Sequence, residues 1–259
     1  MVYIWDLDPI ALSLGPIEIR WYGVMYAIGF LIVYAYLRRA VREGRAPLSM
    51  DDVDRLLTYL VVGMIAGARI AEVLIYEPGY YFANPAEIIA IWHGGLSFHG
   101  ALAGMLLAGY LFARKRKVSL LKLADLVIVP VSIAQSFGRF GNFINGELFG
   151  RPTDLPWGVI FPNAEGPRHP SQLYEAFYNV IIFAVLYSQR NKKWPDGSLF
   201  ALFLVLYAVF RGITEFFRQP DFVVGPLTSG QLLNIPMLIG GIALWYYVRR
   251  KAAGNSTTS

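Results

Sequence analysis

Long apolar runs recur along this chain and alternate with short polar segments. Seven of them approach the length of a membrane-spanning helix, since about 20 apolar residues cross the hydrocarbon core of a bilayer. They lie at residues 19–37, 55–75, 96–113, 121–137, 171–188, 198–217 and 231–248. The pattern predicts an all-α integral membrane protein with seven transmembrane helices in a single polytopic domain over residues 1–259.

The composition excludes an ordinary soluble domain, because 56% of the residues are hydrophobic and only 16% are charged. The chain has no cysteine, which excludes disulfides, thiolate metal sites and a cysteine nucleophile of its own. Any thiol chemistry must therefore use a thiol of the substrate. The three histidines do not have the spacing of a zinc site, so we predict no metal.

Basic residues cluster in alternate loops. The clusters RRAVREGR, ARKRKVSLLK, RNKK and VRRK follow the first, third, fifth and seventh runs. Clustered Lys and Arg mark the cytoplasmic side of a membrane protein, so the net charge of +5 indicates topology and not nucleic acid binding. The N-terminus is then outside, the C-terminus is inside, and residues 138–170 form an outer loop, hereafter the head segment.

Seven basic residues lie outside these clusters in the outward part of the predicted fold, and all seven are arginine. They are Arg20, Arg69, Arg139, Arg151, Arg168, Arg211 and Arg218. The planar guanidinium suits bidentate binding of phosphate, whereas lysine acts as a point charge. The alternative is that each arginine snorkels to the outer headgroups or pairs with a glutamate, the candidates being Glu72, Glu147, Glu175 and Glu215.

A polar stripe runs along the sixth predicted helix. Its members are Tyr207, Arg211, Glu215 and Arg218, at positions i, i+4, i+8 and i+11, which share one helix face. Such a stripe must face protein or water, and each central charge costs about 2.5 to 3.5 kcal/mol on insertion. A purely structural Arg211–Glu215 pair is the alternative interpretation.

The head segment begins with GRFGNFINGELFG, at residues 138–150, which places Arg139, Asn142, Asn145 and Glu147 among four glycines. Glycine permits backbone conformations that present N–H groups to an anion. The segment therefore predicts an anion site near the membrane surface. The alternative is a re-entrant turn whose glycines only allow close packing.

The third run opens with HGGLSFHGALAG. Gly100, Gly104 and Ala108 form a ridge of small residues that predicts close approach of a neighbouring helix. His99 lies near the outer end of this helix, where it is either a structural hydrogen-bonding residue or a base that accepts a proton near neutral pH. Ser97 and His99 point apart on a helix, so they form no local dyad.

The motifs of serine hydrolases, zinc proteases, Walker nucleotide-driven pumps and dinucleotide-binding proteins are absent from the sequence. A lipid or solute transporter is the main rival to an enzyme, because buried charges also mark translocation paths. Transporters typically contain inverted repeats, and the chain shows no internal similarity at a fixed spacing.

The chain resembles the bacterial prolipoprotein diacylglyceryl transferases over nearly its whole length. The matching stretches, in order, are IRWYGVMYAIGF (19–30), GARI (67–70), GGLSFHGALAG (94–104), GRFGNFINGELFGR (138–151), RHPSQLYEA (168–176) and FRGITEFFRQPD (210–221). The resemblance implies an inner-membrane enzyme with no cofactor, seven spans and a periplasmic head. It implies transfer of the diacylglyceryl group of phosphatidylglycerol to the lipobox cysteine of a preprolipoprotein signal peptide, with release of glycerol phosphate.

The resemblance also implies roles for individual residues. Arg139 and Arg211 are the expected lipid-phosphate residues, and Tyr22 and Tyr207 are expected to line the site. Activity is expected to depend on His99, Asn142, Glu147, Gly150 and Glu215. We add Asn145 and the outward-lying Arg69 to the predicted substrate-binding residues.

A mechanism follows as a hypothesis. Arg139 and Arg211 hold the lipid phosphate and neutralise charge that grows on the leaving group, while Glu147 and Glu215 orient the arginines. His99 is the candidate base for the substrate thiol, which is mostly protonated at neutral pH.

Overall fold

The computed structural model describes residues 3–15, 17–220 and 222–256, and it is mostly helical. Its eight α-helices are α1 (Trp21–Arg42), α2 (Met50–Ala71), α3 (Pro78–Ala83), α4 (Phe98–Arg116), α5 (Leu120–Ile144), α6 (Ser171–Gln189), α7 (Ser198–Thr214) and α8 (Ser229–Ser256). All except the short α3 coincide with the seven apolar runs. A turn of π-helix, Glu72–Tyr76, extends α2.

Four helical segments are long and apolar enough to cross a membrane: Trp21–Arg42, Met50–Tyr76, Leu120–Ile144 and Ser229–Gly254. Helices α4, α6 and α7 are shorter or more polar, and α6 carries a buried polar face. Large hydrophobic side chains are exposed along the helices, as Leu31, Leu106 and Ile239 illustrate. Such surfaces are expected where helices face lipid.

Within the described ranges, six short strands form three two-stranded sheets. Strand β1 (Tyr3–Ile4) pairs in parallel with β4 (Val159–Ile160). Strands β2 (Ile10–Leu14) and β3 (Ile17–Arg20) form an antiparallel hairpin just before α1, and β5 (Val223–Val224) and β6 (Leu227–Thr228) form another just before α8. The β1–β4 pair fastens the head segment to the beginning of the chain.

The described residues fall into two compact units. The first contains the residues up to Tyr36 and those from Ala124 onward, and the second contains Leu37–Leu123. In the first unit an apolar core joins α5, α6 and α7 through Val129, Ile182 and Phe203. Asp125 of α5 fixes the start of α7, because its two carboxylate oxygens accept the backbone N–H groups of Gly197 and Phe200, each at 2.8 Å.

The second unit contains the close helix packing that the small-residue ridge predicts. A Cβ atom added to Gly63 would lie 2.7 Å from the Cβ of Ala108, and one added to Gly67 would lie 2.8 Å from the Cα of Gly104. The ridge of α4 therefore packs backbone to backbone against α2. The prediction of a packing role for Gly100, Gly104 and Ala108 is confirmed, since a Cβ on Gly100 would also collide with Ala71.

Two helix ends differ from the apolar runs. Helix α5 continues through Gly138 and Gly141 to Ile144, so the first residues of the predicted head segment are helical. Glycine is needed at position 141 because an added Cβ would lie only 2.9 Å from the Tyr22 ring. Helix α7 ends at Thr214, and Glu215 and Arg218 lie in the turn that follows.

Candidate functional site

The last turns of α5 carry Arg139 and Asn142 on one helix face, because the two residues are three positions apart. The Nε atom of Arg139 lies 2.6 Å from Oε2 of Glu175, so the two side chains form an ion pair. The N–H group of Nε is not aligned with Oε2, and the contact does not meet the geometry of a hydrogen bond. Its Nη1 atom makes only a 3.5 Å contact with the Asn142 side chain. The Arg139 side chain as a whole is 25% exposed.

Glu175 belongs to the buried polar face of α6, together with Ser171, Gln172 and Asn179. The residue has no exposed surface. Its Oε1 atom accepts a hydrogen bond from Nη1 of Arg218 at 2.7 Å. One buried carboxylate is therefore shared by two guanidinium groups that come from different parts of the chain.

A second ion pair joins Arg211, near the end of α7, to Glu215, which is 3% exposed. The Glu215 carboxylate also accepts a hydrogen bond from the hydroxyl of Thr228. It lies against Gly230 in the first turn of α8, where a negative charge interacts favourably with the helix dipole. The start of α8 thus fixes the carboxylate that orients Arg211.

These two ion-pair groups form one electrostatic cluster. Arg211 interacts with Glu175 as well as with Glu215, and Arg139 contacts the Tyr207 hydroxyl. We name the set of Arg139, Arg211, Arg218, Glu175 and Glu215 the arginine–glutamate cluster. Three guanidinium groups face two carboxylates there, which leaves one net positive charge. The cluster includes both Arg139 and Arg211, the two arginines that the resemblance singles out.

Glu147 lies beside the cluster and is exposed. Its Oε1 atom accepts hydrogen bonds from the side-chain amides of Asn142, at 2.8 Å, and Asn145, at 3.3 Å. The Tyr22 hydroxyl contacts the Tyr26 hydroxyl at 3.1 Å and also interacts with Asn142. The structure thus brings together four of the predicted substrate-binding residues: Tyr22, Asn142, Asn145 and Glu147.

Gly150 occupies a position that admits no side chain. Its backbone N–H donates to the carbonyl oxygen of His169 at 2.8 Å, and an added Cβ would lie 2.8 Å from the Cβ of His169 and would collide with the backbone of Phe217. Gly150 also forms an isolated β-bridge with Arg218. The glycine therefore lets the head segment contact the chain directly beside the arginine–glutamate cluster.

The glycine N–H groups of this segment do not point to an anion, which corrects that part of the sequence interpretation. Gly138 and Gly141 lie inside α5. The N–H of Gly146 donates to Phe143 O at 3.0 Å, and that of Gly150 donates to His169 O. Their donors are used within the fold, so the arginine side chains carry the positive charge of the site.

His169 joins the head segment to α6. Its Nδ1 atom lies 3.1 Å from the Tyr174 hydroxyl, which also accepts a 2.8 Å hydrogen bond from the indole of Trp157. The imidazole packs against the ring of Phe217. Burial lowers the pKa of His169 from its ordinary value, because desolvation penalises the protonated ring.

Arg69 lies in the second unit and is 6% exposed. Its guanidinium donates to the Tyr81 hydroxyl and to five backbone carbonyls of the following segment, those of Glu87, Ile88, Ala90, Gly94 and Gly95. A guanidinium has five N–H donors, so these acceptors occupy all of them. Arg69 therefore supports the fold of this segment, in contrast to the substrate-binding role expected from its outward position.

His99 also lies in the second unit, in the first turn of α4. It is exposed, and its Nδ1 atom lies 3.2 Å from the Tyr76 hydroxyl. Ser97 caps the same helix by accepting the N–H of Gly100 at 3.2 Å. Serine and histidine thus have separate roles, as their spacing predicts.

Glu175 and Arg218 are the central residues that the predicted site omits. Arg218 is visible in the sequence as a member of the polar stripe. Glu175 is an acidic residue inside an apolar run, and the rule that singles out Arg211 applies equally to it. Among the described residues no group of three or more His, Asp or Glu side chains has the arrangement of a metal site.

Fold and site together define a polytopic helical membrane protein with buried arginine–glutamate pairs. The sequence profile of the family described as "Prolipoprotein diacylglyceryl transferase" matches residues 9–247. The chain belongs to that family.

Three relatives named phosphatidylglycerol–prolipoprotein diacylglyceryl transferase match almost end to end. The protein from Desulfotalea psychrophila is 44% identical over 253 residues, which cover 93% of each chain. The one from Bordetella avium is 42% identical over 261 residues, with 98% of this chain and 99% of the relative covered. The Geobacter sulfurreducens protein is 42% identical over 254 residues, with coverages of 96% and 98%. These names favour the enzyme over the transporter alternative.

Proposed function

We propose that the arginine–glutamate cluster binds the phosphate of phosphatidylglycerol while a cysteine thiol of the prolipoprotein attacks the lipid. The chain is a transferase that moves the diacylglyceryl group of phosphatidylglycerol to a prolipoprotein, as its family membership and its named relatives indicate. The lipobox cysteine as the acceptor and the roles of the individual residues are proposed here.

One observation carries the assignment of the phosphate site. Arg139 is ion-paired through Nε, yet its side chain is partly exposed and its Nη1 atom is only weakly engaged. A guanidinium held in this way is fixed in orientation and retains donors for a phosphate. Arg211, fixed by Glu215, supplies a second positive charge to the same cluster.

The proposed step is a displacement at the glyceryl carbon that bears the phosphate oxygen. A sulfur–carbon bond forms as the carbon–oxygen bond breaks, the thiol proton passes to a base, and glycerol phosphate leaves with the bonding electron pair. Arg139 and Arg211 stabilise the negative charge that develops on the departing phosphate. Low polarity around the buried carboxylates makes that interaction stronger than in water.

The reaction has a direct test. Purified protein, phosphatidylglycerol labelled in its acyl chains and a lipobox peptide are expected to yield labelled peptide. The same peptide with its cysteine replaced by serine is expected to yield none. Label on the serine peptide, or no label on either peptide, would refute the cysteine as the acceptor.

His99 remains the base for the thiol proton that the sequence alone predicts. The imidazole is exposed and has one ring nitrogen beside Tyr76, so the other is open to a substrate. The test is the pH–rate profile of His99→Gln. Loss of the acidic limb is expected, and a profile that keeps the wild-type acidic limb removes His99 from this role.

We also propose that all seven long helices cross the inner membrane, with the N-terminus periplasmic and the C-terminus cytoplasmic. The absence of cysteine makes the chain suitable for single-cysteine labelling. An impermeant maleimide added to spheroplasts is expected to label Asn163→Cys, in the head segment, and not Lys193→Cys, in the loop between α6 and α7. Both positions are exposed. The reverse labelling would contradict the orientation.

A further inference from the structure

Arg139 and Arg218 form ion pairs with different oxygen atoms of the Glu175 carboxylate. Arg139 Nε lies 2.6 Å from Oε2, and Arg218 Nη1 lies 2.7 Å from Oε1. The carboxylate has no exposed surface, so its charge is balanced by neighbouring guanidinium groups: Arg139 and Arg218 form close ion pairs with it, and Arg211 interacts with it without a close ion pair. Each of them therefore retains part of its own positive charge.

The two arginines differ in what else they contact. The side chain of Arg139 is 25% exposed, whereas that of Arg218 is 11% exposed. The backbone of Arg218 is also fixed, because its carbonyl oxygen accepts Nε of Arg151 at 2.8 Å and the residue bridges to Gly150. Arg218 is thus the more buried partner of Glu175, and Arg139 is the more exposed one.

Because Glu175 is paired with both arginines, Arg218 affects how much positive charge Arg139 presents to a phosphate ligand. With Arg218 present, Glu175 neutralises Arg139 only in part. Without Arg218, the buried carboxylate would have Arg139 as its close partner, and the pair would be almost neutral towards an incoming phosphate. Charges interact more strongly in a low-dielectric interior than in water, so this difference is large enough to change lipid affinity.

We propose that Glu175 and Arg218 are positioning residues for the lipid phosphate: Glu175 fixes Arg139 through Nε, and Arg218 offsets Glu175 so that Arg139 keeps positive charge for the ligand. This inference rests on the proposed function, since it concerns the same phosphate site. Neither residue needs to touch the substrate.

The test compares the apparent KM for phosphatidylglycerol, in mixed micelles with a lipobox peptide, among three variants. Arg218→Met is expected to raise KM by about tenfold, the typical value of one charge-assisted contact. Arg218→Lys keeps the charge and is expected to stay within about threefold of wild type. The double variant Glu175→Gln with Arg218→Met removes both charges, so it is expected to restore KM to within about threefold.

The double variant separates charge balance from a merely structural role. If Glu175 and Arg218 only support the fold, removing both damages the site at least as much as removing one. A double variant whose KM is as high as that of Arg218→Met overturns the inference, and so does an Arg218→Lys variant that behaves like Arg218→Met. If Arg218→Met does not yield folded protein, the KM values of Arg218→Lys and of the double variant are compared with that of wild type. A KM more than about threefold above wild type in either variant then overturns the inference.

Arg39→Met is the matched control, because the Arg39–Glu43 pair is exposed on both sides and such pairs contribute little. Its KM is expected to equal that of wild type. Wild-type protein that transfers no label to the lipobox peptide would refute the proposed function. If wild type transfers the label but the KM values of the variants do not follow the expected order, only this inference is refuted.

Discussion

Arg139 and Glu175 form an ion pair of 2.6 Å between two helices, α5 and α6, and the carboxylate has no exposed surface. The pair ties the orientation of an outward-lying arginine to the core that joins these helices. Arg139 therefore does not sample many rotamers before the lipid arrives. A fixed guanidinium loses less entropy on binding, and it is directed before charge develops on the leaving group.

Replacing Arg139 with alanine is expected to lower kcat/KM for transfer by about 10² to 10³, the usual cost of removing one charge-stabilising donor. Arg139→Lys keeps the charge but loses the planar fork, so its loss is expected to be smaller. Both are measured with labelled phosphatidylglycerol and a lipobox peptide. Arg39→Ala, which removes an exposed arginine of a predicted cytoplasmic cluster, is the control and is expected to keep full activity. Near-normal transfer by folded Arg139→Ala would refute the phosphate site.

The apolar runs predict where the long helices lie, because a spanning segment needs many consecutive apolar residues. They predict the helix ends less well. Helix α5 continues past Phe137 through two glycines, since hydrogen bonding and packing against Tyr22 override the low helix propensity of glycine. Similarly, α7 ends at Thr214 although the polar stripe continues into the turn.

The sequence does not predict which groups each arginine contacts. Arg69 and Arg139 look alike there, since both are outward arginines near small residues. In the structure Arg69 is surrounded by the carbonyls of its own neighbouring segment, whereas Arg139 reaches a carboxylate on another helix. The difference depends on the path of the backbone, which spacing and residue type do not encode.

Gly230→Ala is expected to lower transfer by about 10- to 100-fold, a typical cost of displacing a group that positions a reactive residue. An added Cβ would lie 2.6 Å from Oε1 of Glu215 and would move this carboxylate away from Thr228 and Arg211. Gly240→Ala in the same helix is the matched control, because no heavy atom lies within 4 Å of an added Cβ. Its transfer rate is expected to equal that of wild type. Equal losses in both variants would mean that the effect comes from α8 itself and not from Glu215.

Gly104→Ala is expected to destabilise the protein by about 1 to 3 kcal/mol, the usual cost of overpacking a tight contact. An added Cβ would lie 3.0 Å from the Cα of Gly67 and would collide with the Gly63 carbonyl, so α2 and α4 would have to separate. The measurement is the thermal midpoint in detergent. Gly109→Ala, on the same helix, has its nearest contact at 4.0 Å, with Leu60, and is expected to leave the midpoint unchanged or raise it. A similar drop in both variants would contradict the close packing.

The pH dependence of stability is expected to contain a contribution from His169, whose folded pKa is lowered by burial. Because the folded state binds the proton more weakly than the unfolded state, the contribution is fully present above the unfolded pKa of about 6.5. It is lost as the pH falls through the lower folded pKa. The thermal midpoint of wild type should thus decline from neutral to mildly acidic pH more steeply than that of His169→Asn, which does not titrate.

His93→Asn is the matched control for this pH series, because the His93 side chain is exposed and its Nδ1 atom lies 2.8 Å from the Glu87 carboxylate. That variant is expected to keep the wild-type slope. The expected order has a structural reason: protonation of His169 places a charge beside the Phe217 ring in a buried site. If His169→Asn retained the full wild-type slope between neutral and mildly acidic pH, another group would have to be responsible for it.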